Sequence, residues 1–231
     1  MTHGPLVDPG TVPDWLRTLV VASGEVDVGL WTRFAAIGDG AREAAVLVLL
    51  GEDPDHGPDV LLQLRAATGD THSDQVSFPG GKAEPDDDGP VGTALREAVE
   101  ETGVDPSGVR PVALLPALHI PVSAFDVTPV LAHWEKPSRV WAVSERETQA
   151  VARVPLAHLA DPANRFRVKH PSGYVGPAFA APGMLIWGFT AGLLTMVLAA
   201  GGWHRDWDAG DVRDLDVAWR SVRPQGPEVR A

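Results

Sequence analysis

Three carboxylates recur at helical spacing in TALREAVEET, Thr93 to Thr102. Glu97, Glu100 and Glu101 stand at i, i+3 and i+4, so a helix would carry all three on one face. Like charges this close repel, and a hard divalent cation such as Mg2+ or Mn2+ relieves the repulsion among hard oxygen donors. Arg96 adjoins Glu97 and precedes Glu100 by one helical turn, so its planar fork can hold a carboxylate in a fixed orientation. Upstream, Gly80 and Gly81 lack side chains and let the backbone approach a cation, which makes a main-chain carbonyl at Gly81 a further candidate ligand. Taken alone, REAVEE reads as readily as a solvated helical face.

The elements that must position these groups follow from the flanking pattern. Gly103 closes the helix where a left-handed cap is expected. Ala44 to Leu50 and Asp59 to Arg65 are apolar runs of strand length, separated by the turn-forming GEDPDHGP. Val76 to Phe78 is a shorter strand, ended by Pro79-Gly80-Gly81, and the polar loop EPDDDGP leads into the acidic helix. Val109 to Leu118 and Val127 to Trp134 predict further strands, and Glu147 to His158 includes a helical turn or two. A short packing helix begins near Pro13, with Leu16, Leu19 and Val20 on one face. Met184 to Ala200 reads as the last long helix, and the tail from Arg205 is polar and turn-rich with a disordered end.

The segment Pro79 to Val104 resembles the Nudix box, G-x5-E-x7-R-E-U-x-E-E-x-G-U with U aliphatic. The match runs through Arg96, Glu97, Glu100, Glu101, Gly103 and Val104. Asp88 stands where the box has its first Glu, and Gly81 lies one residue early. The same one-residue insertion is found in Nudix enzymes that resemble coenzyme A diphosphatases. Their upstream pattern LLTxRSxxLRxHxGxVxFPGG is similar to LLQLRAATGDTHSDQVSFPGG here, with Arg65, His72, Val76, Phe78, Pro79, Gly80 and Gly81 matching. Gly69 and Asp70 replace a Leu-Arg pair, and Asp74 replaces a glycine. Val154-Pro155-Leu156, preceded by Glu147, and Ile186 to Ala191 resemble later stretches of the same subgroup.

The resemblance implies an α/β fold, a Nudix-type α/β/α sandwich with a mixed sheet. It also implies hydrolysis of a nucleoside-diphosphate-linked small molecule, with coenzyme A split to 3',5'-ADP and 4'-phosphopantetheine. NADH, ADP-ribose and dinucleoside polyphosphates are alternative substrates, and a non-catalytic nucleotide sensor is a third reading. Glu97, Glu101 and Glu100 are the expected metal ligands together with Gly81, and Arg96 supports them. The base that takes the proton of the attacking water is one of these glutamates or Glu147. Arg65 and His72 are candidates for substrate binding, and Trp187 is read as core packing. His119, His133, His158 and His170 lie too far apart to form a metal site by spacing.

Composition limits the remaining classes. The 231 residues are 44% hydrophobic and 22% charged, enough for a packed core. A net charge of −12 argues against a nucleic-acid partner. The absence of cysteine removes thiol, zinc-thiolate and iron-sulfur chemistry. No basic start precedes an apolar core, so the expected location is cytoplasmic. Pro171 to Trp203 holds no Asp, Glu, Lys or Arg, but its glycines and prolines favour a buried helix over a membrane span. The expected organisation is an N-terminal extension with a short helix (1–35), a Nudix domain (36–204) and a polar, partly disordered tail (205–231). A homodimer is compatible with it.

Overall fold

The computed structural model describes residues 3–26, 41–66, 75–120 and 123–222. His72, Gly69, Asp70 and Asp74 lie outside the described residues. In chain order the elements are β1 (Gly4–Pro5), α1 (Asp14–Ala22), β2 (Arg42–Asp53), β3 (Gly57–Arg65), β4 (Val76–Ser77), β5 (Gly80–Lys82), α2 (Gly89–Thr102), β6 (Val109–Leu114), β7 (Leu118–Ile120), β8 (Phe125–Trp134), β9 (Thr148–Pro155), α3 (Leu156–Ala160), β10 (Arg165–Lys169), β11 (Val175–Ala181), β12 (Met184–Trp187), α4 (Gly188–Ala200), β13 (Val212–Asp214) and α5 (Leu215–Val222).

The run AVLVLL in β2 is apolar at successive positions because both faces of the strand are covered. Ala45, Leu47 and Leu49 face Ala94 and Ala98 of α2. Val48 and Leu50 belong to a second cluster with Leu16 and Leu19 of α1 and Leu194 and Val197 of α4. Helices therefore cover both faces of one mixed sheet, the expected sandwich. Its main path is β1-β6-β8-β2-β3-β4, with β2 and β8 parallel. β5 pairs with β2, β7 with β8 and β9 with β3. A second sheet, ordered β12-β11-β10-β13, stands beside it.

Several elements differ from the sequence reading. Helix α2 starts at Gly89 rather than Thr93, since Pro90 fits the first helical turn. The strand expected over Val109 to Leu118 divides into β6 and β7 around Pro116, which has no ladder donor. Thr148 to Pro155 is strand β9, and the helical turn of that stretch is confined to α3. Met184 to Trp187 is a strand rather than the start of the long helix, because it pairs with Ala178 to Ala181 of β11. A continuous apolar run is compatible with either state until its partner is known. Among the described residues, no helix is long and apolar enough to cross a membrane.

Part of the segment read as a polar tail is ordered. β13 runs parallel to β10, and Leu215 and Ala218 of α5 are buried with Phe166, Val168 and Leu185. Leu215→Ala should therefore lower stability by about 2–3 kcal/mol in urea unfolding. A solvated tail would show no change.

Candidate active site

The acidic ridge lies on α2, whose C-terminus is closed by Gly103 at φ 65°, as its left-handed cap requires. The three glutamates occupy different environments. Glu101 is buried, with its side chain 7% exposed, whereas that of Glu100 is 57% exposed. Gln63 Nε2 of β3 donates to Glu101 Oε2 at 2.6 Å, and the Gly80 amide donates to the same oxygen at 2.9 Å. Behind Gln63, its Oε1 accepts from Thr148 Oγ1 of β9 at 3.0 Å. Arg65 stands 3.5 Å from Glu101 Oε1. Burial outweighs these favourable contacts and pushes the Glu101 carboxyl up to about 7.

Glu97 rests against Gly81, where any Cβ would collide with its carboxylate. Burial raises its pKa as well, opposed by Arg96. At Gly80, φ is 154° and a Cβ would strike the Ala45 carbonyl and Val46. The two glycines let β5 lie between β2 and the ridge helix. Removing side chains there is what allows the approach.

Arg96 organises the rest of the ridge. Its Nε and Nη2 grip Asp87 at 2.9 and 3.0 Å in a bidentate pair, and Nη2 also donates to the Lys82 carbonyl at 3.0 Å. Nη1 reaches Glu97 at 3.1 Å and Glu100 at 3.2 Å. Asp87 additionally accepts from Thr93 Oγ1 at 2.9 Å and the Glu84 amide at 2.8 Å, and together these hold its carboxyl well below the usual range. The acidic loop is thus tied to the helix by Asp87. Counted back from Arg96 the box spacing falls on Asp88, but Asp88 only precedes the helix and makes no side-chain cap. Counted forward from Gly81, Asp87 keeps the G-x5 spacing, so the extra residue falls between Asp87 and Arg96.

Glu147 is exposed in the turn before β9, and its carbonyl accepts from the Ala66 amide at 2.9 Å. Its side chain makes no hydrogen bond or ion pair with the ridge. Gln63 and Thr148 were missed as site residues, whereas Asp87 belongs to the acidic loop of Glu84, Asp86, Asp87 and Asp88, one of which could replace the missing box glutamate. Gln63 could have been noticed as the one amide in VLLQLR, while Thr148 carries no local signal. His119 pairs with Asp126 at 2.7 Å, His158 contacts the Ala180 carbonyl, and His170 stacks on Trp187. Trp187 is therefore in a cavity wall, although it also packs on the core of the second sheet.

The ridge offers hard oxygen donors of the type Mg2+ or Mn2+ takes, and the glycine at position 81 leaves room beside Glu97. Among the described residues, no three carboxylate or imidazole side chains are gathered into a finished cage. Glu101 instead turns toward β3, while Glu97 and Glu100 share Arg96. Donor type and space fit a cation, and an ion would replace part of this hydrogen bonding.

A family model described as the NUDIX domain matches residues 41–172. The chain belongs to the Nudix family. It is 41% identical over 116 residues to the uncharacterized Nudix hydrolase NudL of Cronobacter sakazakii, and 40% identical to that of Salmonella newport. Each match covers 50% of this chain and 58% of the relative. The chain thus spans under two thirds of the curated relatives it matches. Among solved structures, a Nudix hydrolase from Alicyclobacillus acidocaldarius aligns over 81% of this chain and 98% of its own, with 19% identity and a TM-score of 0.46. One from Nitrosomonas europaea aligns over 75% and 79%, with 12% identity and a TM-score of 0.47.

Two outcomes follow for this Nudix ridge. Folding raises the Glu101 pKa from 4.5 to about 7, so the folded state binds the extra proton. The neutral form is favoured, and stability falls as pH rises from about 4.5 through about 7. In metal-free buffer, Glu101→Gln should remove about 3 kcal/mol of that dependence, read from urea unfolding between those limits. Asp87→Asn should free Arg96 and raise the Mg2+ concentration needed for half-maximal activity by roughly 10–100-fold.

Proposed function

We propose that the protein is a divalent-metal-dependent hydrolase of nucleoside-diphosphate-linked small molecules, with coenzyme A or a derivative as substrate. The observation that carries this reading is the carboxylate ridge, with Glu97 and Glu100 held by Arg96 and Glu101 buried beside Gly80, next to a cavity lined by Gly80, Gly81, Arg65 and Lys82. Family membership supports a diphosphate hydrolase. The coenzyme A choice rests on the resemblance through Arg65, Val76 and the Phe78-Pro79-Gly80-Gly81 run.

Glu97, Glu100 and Glu101, with the Gly81 carbonyl, would hold Mg2+ or Mn2+. Such an ion, when bound, neutralises diphosphate oxygens and lowers the pKa of water. The chain's own groups account for the remaining work. Arg65 and Lys82 line the same end of the cavity and offset substrate charge. Water forms a new bond to one phosphorus, the bond from that phosphorus to the bridging oxygen breaks, and the bridging oxygen leaves with the second phosphate. A ridge carboxylate accepts the proton of the attacking water. Glu101 and Glu97 stand on the ridge itself, which supports either in this role over Glu147, whose side chain makes no hydrogen bond or ion pair with it. Gln63 and the Gly80 amide fix the orientation of Glu101, and Arg96 does the same for Glu97. For product splitting, 3',5'-ADP and 4'-phosphopantetheine are expected. The hydrolase unit is taken as 36–204, with α1 and α5 of the flanking segments packed onto it.

The test incubates purified protein with coenzyme A, NADH, ADP-ribose and diadenosine tetraphosphate, in Mg2+ or in EDTA, and identifies products by mass. Coenzyme A should be cleaved only with the metal, and Glu101→Gln should lower kcat by roughly a hundredfold to ten-thousandfold. Unchanged activity in that variant removes the ridge from the chemistry. Turnover of another nucleotide alone transfers the substrate assignment, and turnover of none supports the sensor.

A further inference from the structure

A cavity of about 590 Å3 begins at Gly80, Gly81 and Lys82 and extends away from the ridge to the second sheet. Its two ends differ in chemistry. Arg65 and Lys82 supply cations near the ridge, and among the described residues no Asp or Glu lines the cavity. The rest of the lining is rich in rings: His170, Tyr174, Trp187 and Phe189 come from the second sheet and the turn and helix joined to it, and Phe125 from β8. His170 and Trp187 are parallel, 14° apart with centroids at 5.6 Å, and Tyr174 is tilted against Trp187 at 6.5 Å. The remaining lining mixes aliphatic side chains such as Val46, Val76, Ile120 and Val127 with the hydroxyls of Ser77, Ser123, Ser172 and Thr190.

A pocket with this polarity takes an anion at one end and an uncharged group at the other. An aliphatic arm would need only apolar walls. A planar ring gains in addition from aromatic faces already held in place, because stacking needs a ring on each side. Tyr174 immediately precedes β11 and Trp187 ends β12, both beyond the residues that the family model matches. We propose that this aromatic wall is the specificity site, and that it receives the nucleobase of the substrate while the diphosphate lies at Arg65 and Lys82.

This inference rests on the nucleotide reading above, and binding measurements separate the two. Adenosine, which has a base and no phosphate, and pantetheine, which has the arm and no base, are titrated into the wild-type protein by calorimetry. Adenosine should bind and pantetheine should not. Trp187→Leu should weaken adenosine by about tenfold or more, and Trp187→Phe, which keeps a ring, should restore most of it. Inhibition by inorganic pyrophosphate, a probe of the cationic end, should change less than twofold in both variants. Adenosine binding without turnover of any nucleotide would sink the hydrolase while upholding the ring site. Binding of pantetheine in place of adenosine, or of neither, overturns the proposal. So does a Trp187→Leu protein that folds, judged by thermal unfolding, and binds adenosine as tightly as wild type.

Discussion

A carboxylate taken out of water must be compensated, and the region around α2 is organised by that requirement. Glu101 is largely withdrawn from solvent, and β3 supplies an amide side chain and the residue after Pro79 a backbone N–H in compensation. Those two donors come from separate strands, which are thereby held against the helix at one point. Glu97 adds the opposite demand, for space, and glycine at position 81 meets it. Neither solution is complete, since both groups keep raised pKa values. The residual cost is destabilising, and carboxylates left in this condition are common where they serve chemistry rather than packing.

Arg96 carries the same logic to the surface of the helix. Its guanidinium has five donors in a fixed plane, and Asp87, Glu97, Glu100 and the Lys82 carbonyl use them. A lysine could not hold four acceptors in that geometry. The loop between β5 and α2, which is rich in acidic residues and looks like a solvated turn, is therefore fixed by a single charge from below. Asp87 takes the contact while Asp86 and Asp88 do not, a distinction of geometry among chemically identical neighbours.

That distinction shows what could be read in advance. Periodicity alone brought Glu97, Glu100 and Glu101 to one face, and the left-handed cap at Gly103 follows from residue type. The apolar runs of β2 and β3 were legible because both faces of the sheet are covered. Which aspartate meets Arg96 depends on an inserted residue whose position only the folded loop reveals. Thr148 reaches the site through β9 pairing with β3, a contact between residues far apart in sequence. Met184 to Trp187 was misread because strand and buried helix share the same apolar signature, and its partner β11 had not been recognised. Trp187, once read as core, has one environment in the second sheet and another in the cavity.

The parallel pairing of β13 with β10 bears on how the chain is made. Strand β10 leaves the ribosome well before β13, and meanwhile one of its edges has unsatisfied amides and carbonyls while Phe166 and Val168 lack the cover of Leu215 and Ala218. An open edge beside bare apolar side chains is a template for pairing with a neighbouring nascent chain. β13 and α5 therefore act as a seal on β10 that can close only after the intervening residues 170–211 have been made.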